Sequence, residues 1–202
     1  MRYYLTEDGA FPSVTSVISA TADTTALDKW KSKVGEKEAN RISGVARRRG
    51  TAIHTLLEKH IKKEEIDFRK EMPSNLLIFE QMKRQVELNM SICHGLEVPL
   101  YSKTLRVAGR CDCIATWNDR LSIVDYKTSK AEKEEKWIQS YFIQACFYSI
   151  MLEEMLGHKA KQLVILIGCD STPDAQVFVK DRGDYIEDVR RIVKEFRMKS
   201  LS

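Results

Sequence analysis

The chain has 202 residues, 43% hydrophobic and 31% charged, with five cysteines and a formal charge of +4. That length buries one good core, so a single domain over residues 1–202 is expected. No stretch approaches the roughly 20 apolar residues of a membrane span. The start Met1-Arg2-Tyr3-Tyr4-Leu5 lacks a signal peptide's apolar run and a transit peptide's Arg/Ser-rich helix, so a cytoplasmic protein with no targeting sequence and no membrane partner is expected. The odd cysteine count lacks framework spacing and fits reduced thiols.

Taken in chain order, Tyr3 to Leu5 reads as a short strand and Asp8-Gly9 as a turn, with Ser13 capping a helix from Val14 to Ser19. A second helix runs from Ala26 to Val34 and stops at Gly35. A long helical region then covers Glu36 to Lys63, weakened at Gly44 and Gly50, with Ala46, Gly50, Ile53, Leu57 and Ile61 as its apolar stripe. A loop containing Pro73 leads to a helix from Asn75 to Met90. Strands follow at Leu96–Tyr101, Leu105–Trp117 and Leu121–Lys127, then a helix from Trp137 to Leu156 ended by Gly157. Strands at Leu163–Gly168 and Gln176–Lys180 and an amphipathic helix from Tyr185 to Arg197 close the chain. No repeat, low-complexity tract or linker interrupts it. The pattern predicts an α/β or α+β fold, a mixed sheet flanked by helices with one site at one sheet edge.

Charge is unevenly spread. From Asp28 to Lys63, eleven Lys/Arg stand against four Asp/Glu, a net of +7 that leaves −3 for the remainder. A solvated helix face explains such a run equally well when it stands alone. Beside a site that handles phosphodiesters it becomes a phosphate-tracking surface.

The chemistry concentrates in Gly109-Arg110-Cys111-Asp112 and Ile123-Val124-Asp125-Tyr126-Lys127-Thr128. Asp125 and Lys127 are two apart on a strand and share a face, while Val124 and Tyr126 take the other. Asn118-Asp119-Arg120 reads as a hairpin turn, and antiparallel pairing would bring Asp112 close to Asp125. Two crowded carboxylates repel unless a divalent cation, Mg²⁺ or Mn²⁺, lies between them. Cys111 and Cys113 flank Asp112 and are expected to point away from it. On the long helix, His54 and Glu58 are one turn apart on one face, and Arg47 falls near it. Neutral imidazole can complete a metal set with Asp112 and Asp125, although a lone helix histidine is more often a surface or hydrogen-bonded residue. Gln144 and Tyr148 share a helix face, and both side chains can support a phosphate or a catalytic group.

In order, Arg49-Gly50-Thr51-x-x-His54, Gly109-x-x-Asp112, Asp125-Tyr126-Lys127-Thr128 and Gln144-x-x-x-Tyr148 resemble the PD-(D/E)xK nuclease superfamily, in its RecB-like exonuclease branch. Pro12-Ser13-Val14-Thr15, Leu27-Asp28-Lys29-Trp30 and Val34-Gly35-Glu36-Lys37-Glu38-Ala39 are further similar to mitochondrial genome maintenance exonucleases and phage-encoded relatives.

The resemblance implies a restriction-endonuclease-like core in one nuclease domain. Residues 1–63 would form its basic helical part, carrying His54, and residues 94–202 its catalytic sheet and flanking helices. It implies that His54, Asp112, Asp125 and the Tyr126 carbonyl bind Mg²⁺ or Mn²⁺, that Lys127 positions and helps deprotonate water, and that Gln144 and Tyr148 support the site. Relatives with an iron–sulfur cluster carry three clustered C-terminal cysteines. Only Cys146 and Cys169 follow Lys127 here, so no cluster is expected. Ser13, Thr15, Lys29, Trp30, Lys33 and Arg49 could line a DNA passage, with Trp30 either stacking on a base or filling the core. The expected activity is metal-dependent exonucleolytic hydrolysis of single-stranded DNA with free ends, leaving 5′-phosphates. A repair or structure-specific endonuclease would use the same catalytic set. A non-catalytic nucleic-acid-binding protein on a decayed fold would have lost Asp112, Asp125 or Lys127, and all three are present.

Overall fold

A computed structural model describes residues 1–201. The chain opens with a hairpin of β1 (Tyr3–Thr6) and β2 (Gly9–Pro12), followed by α1 (Val14–Thr21), α2 (Thr25–Val34) and α3 (Glu36–Ile61). After α4 (Pro73–Asn89) come β3 (Met90–Ser102), β4 (Val107–Trp117) and β5 (Arg120–Ser129). Helix α5 (Gln139–Leu156) crosses over to β6 (Gln162–Cys169), and β7 (Gln176–Asp181) and α6 (Ile186–Leu201) end the described chain. Among the described residues no helix is long and apolar enough to cross a membrane.

The main sheet has the order β3-β4-β5-β6-β7, antiparallel throughout except for the parallel β5/β6 pair. Parallel neighbours need a long crossover, and α5 supplies it. Strand β6 is buried along its whole length and reads as a continuous apolar run, as a strand covered on both faces should. Its alternate residues divide between two layers. Leu163, Ile165 and Ile167 join the core built with α1, α5 and α6, whereas Val164 and Leu166 join the core built with α3 and α4. The architecture is therefore a mixed sheet between two helical layers, as the sequence predicts.

The β4–β5 turn fixes the register that matters. Asn118 and Asp119 both have positive φ, +46° and +61°, the pair of left-handed residues a two-residue hairpin requires. Trp117 consequently pairs with Arg120, and the ladder counts back to Cys113 opposite Val124, with Asp112 and Asp125 next in line.

Several expectations are corrected. A second strand, β2, which the sequence reading does not include, pairs Phe11 and Pro12 with Tyr4 and Tyr3 of β1. Strand β3 starts at Met90, six residues before the predicted Leu96. Register shifts between Met90 and Ile92 and between Cys93 and Gly95 break its alternation and hide the strand from a period-two reading. Helix α3 runs unbroken through Gly44 and Gly50 but buries Ile53, Leu56 and Leu57 rather than a stripe reaching Ala46, which is exposed. The site lies not at a sheet edge but on β4 and the central strand β5.

Candidate active site

Each chemical group is aimed by its element. On β5, Asp125 is 1% exposed and projects with Lys127 from one face. Its Oδ2 contacts the Lys127 ammonium, and its Oδ1 accepts a 3.0 Å hydrogen bond from Gln144 Nε2 on α5. Lys127 also lies over the Tyr141 ring, 5.0 Å from its centroid, an arrangement that steadies an ammonium. Asp112, beyond the end of the β4/β5 ladder, accepts the Tyr126 backbone N–H at 2.9 Å through its carboxylate. From α3, His54 Nε2 reaches the Tyr126 carbonyl oxygen at 2.9 Å, and Nδ1 lies 3.7 Å from Asp112 Oδ1. Gly50 leaves the space one turn below the imidazole open.

Tyr148 lies directly against β4. A Cβ on Gly109 would sit 2.8 Å from Tyr148 Cε1 and 3.1 Å from its hydroxyl, so glycine at the head of Gly-x-x-Asp lets the ring seat beside the carboxylates.

These groups open onto a cleft of about 790 Å³, lined by His54, Asp112, Tyr126, Lys127, Gln144 and Tyr148, with Ser13, Thr15, Arg2, Tyr4 and Arg110 on its walls. Of the N-terminal residues expected along a DNA passage, Thr15 is exposed in the cleft. Ser13 is buried there, bonded to Thr15 and Ser16 as the α1 cap. Lys29, Trp30 and Lys33 lie on α2 and do not line the cleft. Trp30 is half-buried and belongs to neither core cluster. Arg49 is not on the cleft wall either: its guanidinium pairs with Asp170 at 2.6 Å.

The sequence missed Glu97. Its carboxylate, the Asp112 carboxylate and a His54 ring nitrogen offer ligand atoms within 4.8 Å of one another. The cause is a double reversal. Cys111 packs in the α5 layer and Cys113 in the α4 layer, although they are two apart on β4, which corrects the expectation that both share a face turned from Asp112. On β3, Val98 and Leu96 divide between the same two layers in the same way. Register pairs Leu96 with Cys113 and Val98 with Cys111, so both strands reverse at the facing residues Glu97 and Asp112. Glu97 takes φ +51° there. A lone glutamate in an apolar strand carries no signal of this in the sequence. Arg2 and Tyr4, also missed, had no motif around them, and Arg110 stood only as an unassigned position inside Gly109-x-x-Asp112.

The electrostatics are those of a site short of positive charge. Burial and the charge on Asp125 push the Asp112 carboxyl up to about 6. Burial alone would lower the Lys127 ammonium, but Asp125 and Asp112 outweigh it and raise it, so Lys127 keeps its proton. Burial would also lower His54, and Glu97, Asp112 and Asp125 together raise it. The donor set suits a hard divalent cation: imidazole nitrogen, backbone carbonyl and carboxylates. Adjacent corners of an octahedron with bonds of about 2.1 Å lie roughly 3 Å apart. The 2.9 Å between His54 Nε2 and the Tyr126 oxygen fits that spacing.

A model of the PD-(D/E)XK nuclease superfamily matches residues 69–200. The chain belongs to this superfamily. It is similar to the human mitochondrial genome maintenance exonuclease 1, with 29% identity over 140 residues that cover 65% of this chain and 40% of that protein. It is also similar to an ATP-dependent helicase/nuclease from Thermoanaerobacter sp. (strain X514), 28% identical over 148 residues, or 70% of this chain and 12% of that one. The chain thus spans less than half of either relative's length. Among solved structures, a putative exonuclease from Eubacterium rectale superposes with a TM-score of 0.54 over 76% of this chain and 66% of that one, at 14% identity, a likeness of fold. The matches to an exonuclease and to a helicase/nuclease agree with the RecB-like branch inferred from the motifs.

Proposed function

We propose that this chain is a divalent-cation-dependent exonuclease that hydrolyses single-stranded DNA from free ends and leaves 5′-phosphates. The observation that carries the reading is the meeting of His54, the Tyr126 carbonyl, Asp112 and Lys127 in one open cleft, with Asp125 buried beneath it against Lys127.

His54, Asp112, Asp125 and the Tyr126 carbonyl are the residues that would hold Mg²⁺ or Mn²⁺. When bound, such a cation supplies charge neutralisation at the phosphate and acidifies water. The remaining work belongs to the chain. Lys127 stands beside Asp125 with its proton held, and its ammonium faces the cleft as a donor to a phosphate oxygen or to the attacking water. Gln144 fixes the Asp125 carboxylate, leaving its other oxygen to Lys127. Attack by water in line with the 3′ oxygen breaks the P–O3′ bond and leaves a 5′-phosphate and a 3′-hydroxyl. The choice of DNA is supported by the name of the human relative and by the basic α2–α3 region, where Lys29, Lys31, Lys33 and Lys37 carry positive charge toward solvent.

Digestion of labelled single-stranded, duplex and closed-circular DNA with Mg²⁺ or Mn²⁺ tests this. Loss of the linear single strand, with circles intact and 5′-phosphorylated products, is the expected result. Efficient cutting of circles would favour an endonuclease with the same catalytic set, and no cleavage with either cation would remove the reading.

A further inference from the structure

We infer that Glu97 is the positioning residue for His54, holding the ring so that Nε2 presents to the cation side of the site. The inference rests on the nuclease reading of the cleft.

Two independent observations point to it. The first is geometric. Glu97 Oε1 stands 4.0 Å from His54 Nδ1, an ion-pair contact on the ring edge that also faces Asp112 Oδ1 at 3.7 Å, while Nε2 on the opposite edge meets the Tyr126 carbonyl at 2.9 Å. A histidine that ligates through one nitrogen commonly offers its other N–H to a carboxylate, which fixes both the tautomer and the ring plane. Arg110 Nη1 lies 3.8 Å from the other Glu97 oxygen and anchors the carboxylate from the strand beside it.

The second is the backbone. Glu97 occupies the left-handed region at φ +51° in the body of a strand, a conformation that suits glycine and disfavours a glutamate. Both β3 and β4 reverse their faces at Glu97 and Asp112, and the reversal turns the two carboxylates toward α3. Fold alone would be served better by glycine at 97. A strained glutamate, paired to a cleft histidine and facing an arginine, has its use in its carboxylate.

The backbone strain supplies the discriminating variant. Glu97→Gly removes the carboxylate and relieves the conformation, so it should unfold at the wild-type temperature or above. Calorimetric titration with Mn²⁺ should show Glu97→Gly binding about 10- to 100-fold more weakly, with Glu97→Gln, which keeps an acceptor oxygen, between it and wild type. In the cation-free protein, ¹⁵N NMR of the His54 ring, assigned with His54→Gln, should show a proton on Nδ1, facing the carboxylates, as well as on Nε2 against the Tyr126 carbonyl in the wild type, and the Nδ1 proton lost in Glu97→Gly.

Unchanged Mn²⁺ affinity in Glu97→Gly would overturn the inference. So would lost affinity with an unchanged His54 nitrogen pattern, which would make Glu97 a direct ligand. Neither readout uses DNA. A wild-type chain that binds Mn²⁺ but cleaves nothing would defeat the nuclease reading while leaving the Glu97 result to stand or fall alone.

Discussion

The hairpin of β4 and β5 and the arm formed by α2 and the first half of α3 solve opposite problems. Around the hairpin almost everything is packed: Asp125 is 1% exposed, Tyr126 and Val124 fill one layer, and Ile123 fills the other. In the arm, α2 buries none of its described residues, and in α3 before Ile53 only Ala39 is buried among them. Reacting groups must be held to fractions of an ångström, and only a packed sheet does that. A surface that follows a flexible polymer needs charge and reach more than position, and elements with few buried contacts open most easily. On the proposed function, position is conferred by the core and affinity by the arm.

The sharpest way to break that division is Lys127→Ala. Cleavage should fall by about 10³-fold or more, because a charge at the reacting phosphate is lost. Binding of a labelled single-stranded oligonucleotide in Ca²⁺ should stay within roughly threefold, since the arm is intact. Near-wild-type turnover would remove Lys127 from the chemistry.

Asp112→Asn should likewise abolish cation-dependent cleavage, yet stabilise the cation-free protein. The sign follows from the raised carboxyl. A folded-state value of about 6, above the ordinary one, means the native state holds a proton that the unfolded chain has released. Stability is then lost as pH rises through that range. Raised His54 acts in the same direction, its contribution present at low pH and lost as pH rises. In chelator, the unfolding temperature of the wild type should fall between pH 5 and pH 8. The variant should show a shallower fall and unfold roughly 5 °C higher at pH 8. A wild type that becomes more stable across that interval would contradict the crowded-carboxylate picture.

The arm predicts smaller effects of a different kind. Replacing Lys29, Lys31 and Lys33 together by Gln should weaken single-strand binding by about 30- to 100-fold at 0.1 M salt and reduce the salt dependence by about 0.7 per lost phosphate contact. Turnover at saturating DNA should be unchanged, and a drop there would show that α2 reaches the chemistry. Least of all, Trp30→Ala should cost about fivefold in affinity, the lower limit for loss of one stacked base, and shift the unfolding temperature little. A loss of several degrees would instead make Trp30 a packing residue.

What could be read from the sequence follows the same division. The strand pair, the hairpin turn, one residue longer in the sequence reading than in the structure, and the face shared by Asp125 and Lys127 obey a period of two and a turn chemistry that are local, so they were legible. The helix from Trp137 to Leu156 was legible because its apolar run and its stop at Gly157 are local too, whereas its role as the crossover of a parallel pair was not. Glu97 was not, because a strand that reverses its face in mid-course breaks the periodicity by which residues are assigned to faces. Nor was the engagement of Arg49 by Asp170, 121 residues away, which takes that guanidinium from the expected DNA passage. Trp30 was left between two roles by the sequence and is half-buried outside both cores.

The turn at Asn118-Asp119 has a consequence for how this site tolerates change. Five residues back from Trp117 and five residues forward from its partner Arg120 bring the chain to Asp112 and Asp125. The loop therefore acts as a ruler rather than a linker. Many residue choices can satisfy two left-handed positions, so its composition has latitude, whereas one inserted residue would displace the numbering of one arm against the other and send an acid into the apolar layer. Across variants of this chain, length at that turn should be the invariant and spelling the variable.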